Sequence, residues 1–84
     1  MYFVYVIHNK ESGKFYIGQT KDLDKRIEYH NNKEFRKSYT SQFAGSWKVI
    51  YKEAYPDRIS VLRREKQLKS FQGRQFVKTK LLPL

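Results

Sequence analysis

The sequence predicts an α+β domain spanning residues 1–84, in which a three-stranded antiparallel sheet packs with about three helices in the order β-β-α-β-α-α. Two short apolar runs, Tyr2–Ile7 and Phe15–Gly18, flank a polar joint that contains a glycine, which is typical of a β-hairpin. A third run, Trp47–Tyr55, alternates apolar and polar residues as a half-buried strand does. The segments that follow the hairpin and the third run carry helix caps and helical periodicity.

The hairpin is expected to place Tyr5 opposite Tyr16 and Phe3 opposite Gly18. Because successive side chains of a strand alternate, these four residues share one side of the sheet. The other side carries the apolar side chains Val4, Val6, Phe15 and Ile17. We expect the apolar side to face a core, and the side with two phenols beside a glycine to face a substrate.

The first helix is expected to begin after Asp22, which is a favourable N-cap residue. Leu23, Ile27 and His30 follow at positions i, i+4 and i+7 and form one stripe of the helix. Arg26 lies about 60° to one side of that stripe. A polar segment, residues 33–46, comes next, and a loop of this length in a compact domain is often functional. Its Tyr39 and Phe43 are expected to pin it to the body or to stack on a base.

The second helix is expected to begin after Asp57 and to end at Gln72-Gly73, with a shorter third helix over residues 74–82. With Val61 set at 0°, Glu65 falls at about 40° on the helical wheel. Glu65 therefore lies within the apolar stripe of the second helix and points away from the solvent side.

The composition is strongly basic, with 18 Lys and Arg residues against 8 Asp and Glu residues and a formal net charge of +10. Such an excess on a small domain indicates a polyanionic partner, which we expect to be nucleic acid. The alternative is that the charge serves only solubility. Basic residues concentrate between Arg63 and Lys80, where Glu65 is the single acid.

The chain contains no Cys, which excludes disulfides and thiolate metal sites and suits a reducing compartment such as the cytoplasm. No apolar run approaches the roughly 20 residues of a membrane helix, and no signal peptide is expected at the N-terminus. We therefore expect a cytoplasmic protein with no membrane partner and no small-molecule cofactor.

Four motifs occur in order along the chain. A Tyr-Ile-Gly motif occupies residues 16–18, and a second tripeptide that ends in Tyr, Phe3-Val4-Tyr5, precedes it by ten residues. An Arg and then a His follow within residues 18–31, and an acid lies in the basic stretch of residues 63–69. With these motifs the chain resembles a GIY-YIG nuclease domain, in particular the small stand-alone bacterial proteins similar to the nuclease domain of the excinuclease C subunit. The first glycine is absent, and residues 75–84 contain no Asn where many catalytic members have one; Gln75 or Thr79 is the nearest substitute.

The resemblance implies hydrolysis of phosphodiester bonds in DNA with one Mg²⁺ or Mn²⁺ ion. It implies roles for Tyr5 as general base, Tyr16 in orienting water or binding phosphate, Arg26 as phosphate clamp, His30 as acceptor of the Tyr5 proton, and Glu65 as metal ligand. The residues alone also allow sheet packing for the tyrosines, a satisfied core histidine, and a helix ion pair between Glu65 and Lys69 at i, i+4.

Several residues are expected to contact the nucleic acid directly. They are Gly18, Lys21, Arg36, Lys37, Arg63, Lys66, Lys69 and Arg74. The second hypothesis is a non-cleaving nucleic-acid-binding module on the same fold, which the missing Asn favours. In that case Tyr39, Phe43 or Trp47 would stack on bases.

Overall fold

The computed structural model describes residues 1–32 and 39–82. Its strands are β1 (Tyr2–Asn9), β2 (Lys14–Thr20) and β3 (Trp47–Tyr55), and its helices are α1 (Leu23–Asn32), α2 (Arg58–Lys69) and α3 (Phe71–Phe76). A short 3₁₀ turn, Thr40–Gln42, precedes β3, and a π-helical turn, Val77–Leu81, continues α3. The predicted α+β arrangement and its element order are confirmed. Within the described residues, no helix is long and apolar enough to cross a membrane.

The sheet has the order β2-β1-β3, so β1 is its central strand and both pairings are antiparallel. The predicted hairpin register is wrong: Tyr5 lies opposite Gly18, and Tyr16 lies opposite Ile7. The strands run further than expected, to a tight turn in which the Gly13 N–H donates to the Asn9 carbonyl at 2.8 Å with Gly13 at a φ of 73°. Because the register differs by two residues, every side chain keeps its predicted side.

Two clusters of buried side chains cover the two sides of the sheet. On one side α2 and the segment after α3 bury the first cluster, which comprises Val4, Val6, Ile17, Val61, Leu68 and Val77. On the other side Tyr5, Ile7 and Trp47 form the second cluster, against which Leu23 and Ile27 of α1 pack. The phenol-bearing side is therefore not a free substrate face, because much of it is core.

The predicted alternation along β3 fails at Ile50. The pairing of β1 with β3 shifts between Val6, opposite Tyr51, and Ile7, opposite Val49, which leaves Ile50 as an extra residue in a β-bulge. Tyr51 consequently packs with the first cluster, and Trp47 belongs to the second. The bulge lets one edge strand supply large aromatic side chains to both sides.

The junction of α2 and α3 lies earlier than predicted. Helix α2 ends at Lys69, and the Ser70 hydroxyl then accepts a hydrogen bond from the Gly73 N–H at 3.3 Å, which caps α3. Gly73 is thus inside α3 and does not terminate α2. A Cβ at this position would lie 2.3 Å from the Gln67 carbonyl oxygen, so glycine is needed for the close approach of the two helices.

A polar network joins α2 to the edge strand β3. Arg64 donates to both carboxylate oxygens of Glu53, through Nε at 2.9 Å and through its second terminal nitrogen at 3.1 Å. The hydroxyls of Tyr51 and Tyr55 donate to the same carboxylate. A forked Arg–carboxylate pair of this kind fixes geometry as well as charge, so the network holds α2 against the sheet.

Candidate active site

Tyr5 of the central strand lies at the bottom of the candidate site. Its side chain is only 2% exposed, and its ring crosses over Gly18 on the neighbouring strand. A Cβ at residue 18 would lie 2.5 Å from the Tyr5 hydroxyl oxygen. The glycine of the Tyr-Ile-Gly motif therefore makes room for the Tyr5 phenol itself, and its predicted contact with nucleic acid stays a prediction.

His30 of α1 meets the Tyr5 phenol. Its Nε2 lies 2.9 Å from the Tyr5 hydroxyl oxygen, and its Nδ1 lies 2.8 Å from the hydroxyl oxygen of Thr40. Its position on the Leu23 and Ile27 stripe turns it towards the sheet, where it is 6% exposed. Both ring nitrogens are thus bonded, one of them to the expected tyrosine.

Thr40 completes this hydrogen-bonded chain, and no motif or spacing in the sequence pointed to it. It is 1% exposed, and its carbonyl accepts a hydrogen bond from the Trp47 indole at 3.2 Å. The amide of Asn31 in turn brackets the Trp47 backbone, accepting from its N–H at 2.6 Å and donating to its carbonyl at 3.1 Å. The Thr40 backbone is therefore anchored by Trp47, which Asn31 holds in turn.

Tyr16 closes one side of the site. Its ring centroid is 6.5 Å from that of Tyr5 and 5.2 Å from that of His30. Tyr39 stacks on its outer face at 6.1 Å with an interplanar angle of 24°, and Phe43 packs between Tyr39 and Trp47. Tyr39 and Phe43 thus hold their segment to the body of the protein, as one of the two sequence interpretations expected.

Glu65 approaches the site from the other helix layer. Its carboxylate, with 20% of the side chain exposed, lies 3.4 Å from the Lys69 ammonium, so the expected i, i+4 ion pair is present. That ammonium lies 6.0 Å from the centre of the Tyr16 ring. Since β2 is an edge strand, α2 on the opposite side can present Glu65 and Lys69 past that edge.

The pKa values of Tyr5 and His30 show which charges act on the site. Burial, followed by the neighbouring Tyr16, raises the pKa of the Tyr5 phenol well above its usual value; Arg26 opposes this rise and Glu65 adds to it. Burial, followed by the positive charge of Arg26, lowers the pKa of His30 to about 4. Arg26 and Glu65 therefore both act on the Tyr5 phenol, and His30 is neutral at pH 7.

The remaining predicted contact residues lie around this centre. Lys21 lies over the ring of Tyr2 and Arg74 over the ring of Phe15, with cation to centroid distances of 5.8 and 5.9 Å. Arg63 and Lys66 are exposed and line a separate groove between α2 and α3. Arg36 and Lys37 lie outside the described residues.

The surroundings of Glu65 fit a metal site with one protein carboxylate better than a site in which several protein side chains enclose the ion. Over residues 1–32 and 39–82, no group of three or more His, Cys, Asp or Glu residues could hold a metal ion. Mg²⁺ commonly takes one or two carboxylates and completes its coordination with waters and substrate phosphate. A single carboxylate beside the phenols is compatible with that mode of binding, in which the substrate supplies part of the coordination.

Comparison with known proteins identifies the architecture. Residues 1–78 match the family model described as the GIY-YIG catalytic domain. A UPF0213 protein from Staphylococcus saprophyticus is 31% identical over 77 residues, covering 92% of this chain and 90% of that protein. A UPF0213 protein from Staphylococcus aureus is 31% identical over 70 residues, covering 83% and 82%. The solution NMR structure of a UPF0213 protein from Bacillus halodurans matches with a TM-score of 0.54 and 28% identity, over 99% of this chain and 89% of that one.

Proposed function

This chain belongs to the GIY-YIG catalytic domain family, and from that premise we propose that it is an endonuclease that hydrolyses phosphodiester bonds in DNA at the Tyr5–His30 site. The family supports nuclease-type chemistry on a nucleic acid. The observation that carries the assignment to these residues is the 2.9 Å contact between the Tyr5 hydroxyl and His30 Nε2, under the charges of Arg26 and Glu65.

Tyr5 acts as general base by passing on its own proton. The raised pKa of Tyr5 means that its phenol is protonated before substrate binds. When the proton of neutral His30 is on Nδ1, the phenol donates to Nε2, so the attacking water can give its proton to the Tyr5 oxygen as the phenolic proton moves to His30. The relay requires no standing phenolate, which the buried site would disfavour.

Thr40 can partner the tautomer on which this relay depends, because its hydroxyl accepts as well as donates hydrogen bonds. If Nε2 accepts from Tyr5, the ring proton of neutral His30 is on Nδ1, from which it donates to the Thr40 hydroxyl oxygen at 2.8 Å. Thr40 is held in turn by the Trp47 indole, so the imidazole cannot readily rotate. Thr40 is a positioning residue, because it acts on the reaction through His30.

The charged residues hold the substrate phosphate. Arg26 binds a non-bridging phosphate oxygen with its permanently charged guanidinium, and Tyr16 orients the attacking water or binds phosphate. Glu65 would hold one Mg²⁺ or Mn²⁺ ion, which supplies charge neutralisation at the phosphate and acidifies bound water. Lys69 neutralises the Glu65 carboxylate until then.

Metal-dependent nicking of supercoiled plasmid tests the proposal. We expect the wild-type protein to nick with Mg²⁺ or Mn²⁺, and Glu65→Gln to lose at least about 100-fold of the rate while still binding DNA. Glu11→Gln removes an exposed carboxylate at the hairpin turn and serves as the matched control, which should nick at the wild-type rate. If Glu65→Gln, purified free of metal and then supplied with Mg²⁺ or Mn²⁺, nicks as fast as the wild type, the proposed role of Glu65 is refuted.

A non-cleaving nucleic-acid-binding module is the second candidate. The nearest substitutes for the missing Asn are Gln75 and Thr79, and the Thr79 hydroxyl donates to the Gln75 carbonyl at 2.7 Å within its own helical turn. DNA binding by the wild-type protein without nicking, over a range of both metals, would favour this candidate.

A further inference from the structure

An open groove of about 770 Å³ is lined in part by Arg26, whose charge also acts on Tyr5 and His30 of the candidate site. It lies where the first residue of β1, the end of β2, the beginning of α1 and the beginning of α2 come together. Its basic residues are Lys21, Lys25, Arg26 and Arg58, and two aromatic rings, Tyr2 and Tyr29, form part of its walls. We call it the Arg26 groove.

Among the residues that the structure describes, the cations of the Arg26 groove take part in no ion pair. Within the described parts of the chain the ion pairs are Arg64–Glu53 and Lys69–Glu65, which involve none of the four. Two acids, Asp22 and Glu28, also line the groove, and the Asp22 carboxylate caps α1 by accepting a hydrogen bond from the Lys25 backbone N–H at 3.1 Å. Four cationic side chains against two acidic ones leave the lining with excess positive charge. A concave surface with excess positive charge concentrates anions.

Aromatic rings hold two of these cations in place. The Lys21 ammonium lies 5.8 Å from the centre of the Tyr2 ring, and the Arg26 guanidinium lies 5.3 Å from that of the Tyr29 ring. Cation–π contacts of this kind restrict long side chains that would otherwise extend into solvent. Two of the positive charges of the groove therefore lie against aromatic rings before any ligand arrives.

We propose that the Arg26 groove binds the DNA backbone next to the phosphate that is cut. The inference rests on the proposed function, in which Arg26 holds the scissile phosphate, and Arg26 also lines the groove. A strand that leaves Arg26 along the groove brings its next phosphates to Lys21, Lys25 and Arg58. Lysine and arginine contacts to phosphate carry no sequence information, so this binding is independent of sequence.

Salt-dependent binding to a labelled duplex of mixed sequence tests the groove. The assay runs in EDTA, so cleavage plays no part, and compares the wild type with Lys25→Ala/Arg58→Ala across about 50 to 200 mM salt. Removing two phosphate contacts should weaken binding and make the negative slope of log K against log salt less steep by about 2. The control Lys10→Ala/Lys14→Ala removes two exposed lysines at the hairpin turn, so its net charge equals that of Lys25→Ala/Arg58→Ala. This control should keep the wild-type slope.

The outcomes separate the groove from the chemistry. An unchanged slope in Lys25→Ala/Arg58→Ala, or an equal loss in the hairpin control, overturns the groove, even if the wild-type protein nicks plasmid. The expected slope change in a protein that never nicks supports the groove and overturns the proposed function. Competition by inorganic pyrophosphate as strong as by DNA, at matched ionic strength, would indicate a compact phosphate ligand and would also overturn a strand-binding groove.

Discussion

The two sides of the sheet use burial in different ways. Under α2 the buried side chains are aliphatic, with Val61 and Leu68 packed on the valines of β1. Under α1 the buried side chains include a phenol, an imidazole and a threonine hydroxyl, and within the described residues every fully buried side-chain polar atom has a hydrogen-bond partner. Burial of polar groups is costly unless they are bonded, so on the α1 side hydrogen bonds offset the cost of burial and hold the groups of the site in one arrangement.

The largest expected effect breaks the chemistry on the α1 side and leaves the fold intact. Tyr5→Phe keeps the ring over Gly18 but removes the hydroxyl that meets His30, so nicking should fall by about 10²- to 10⁴-fold, the usual contribution of a general base. The free energy of unfolding, measured with urea, should change by only about 1 kcal/mol. A Tyr5→Phe protein that nicks at the wild-type rate would exclude Tyr5 as the base.

The next largest effect, on the α2 side, is a loss of stability without a loss of nicking activity. Leu68→Ala removes a fully buried aliphatic side chain, which should lower the free energy of unfolding by about 2–4 kcal/mol. Well below the midpoint of unfolding, the nicking rate per folded molecule should stay within about twofold of wild type. A large loss of nicking in protein shown to be folded would mean that the two sides are coupled more tightly than their separate clusters indicate.

A pH-dependent loss of stability should distinguish the sides further. Burial and Arg26 lower the pKa of His30 to about 4, against 6.5 for an ordinary histidine. The unfolded chain therefore binds this proton first as the pH falls, and the folded state loses stability between about pH 7 and pH 4. By pH 5 the loss should reach about 2 kcal/mol. In urea unfolding at pH 7.5 and 5.0, His30→Gln should show a clearly smaller difference than wild type.

The smallest expected effect is on the nicking rate, through the hydrogen bond between Thr40 and His30. Thr40→Val keeps the shape of the side chain but removes the oxygen that faces His30 Nδ1, so we expect nicking to fall by about tenfold with a changed pH profile. Thr40→Ser retains the hydroxyl and should recover most of the rate. Equal rates in the valine and serine variants would show that Thr40 only fills space.

Structural features that depend on the alternation and spacing of residues could be predicted from the sequence. The side of the sheet occupied by Tyr5 and Tyr16 was predicted correctly, although the register was wrong by two residues. The turn caused the error, since it depends on the Gly13 conformation and on the Asn9 side chain, which accepts from the Ser12 N–H. Local periodicity carries no information on where a turn closes.

Other features require contacts between distant residues. The partnership of Thr40 with His30 depends on Trp47 and Asn31, which no spacing rule connects. The bulge at Ile50 and the close helix contact at Gly73 likewise arise from packing. Arg58 was not identified as a groove residue, because only the folded chain brings the start of α2 next to α1.

The central position of β1 has a consequence for how the gene can vary in length. Its consecutive residues Val4, Tyr5, Val6 and Ile7 are all buried, and they point alternately to the two sides of the sheet. Inserting or deleting one codon within this strand would exchange the two sets, placing the phenol among aliphatic side chains and a valine beside His30. Evolution of this protein can therefore substitute residues in its middle strand but can hardly alter the number of them.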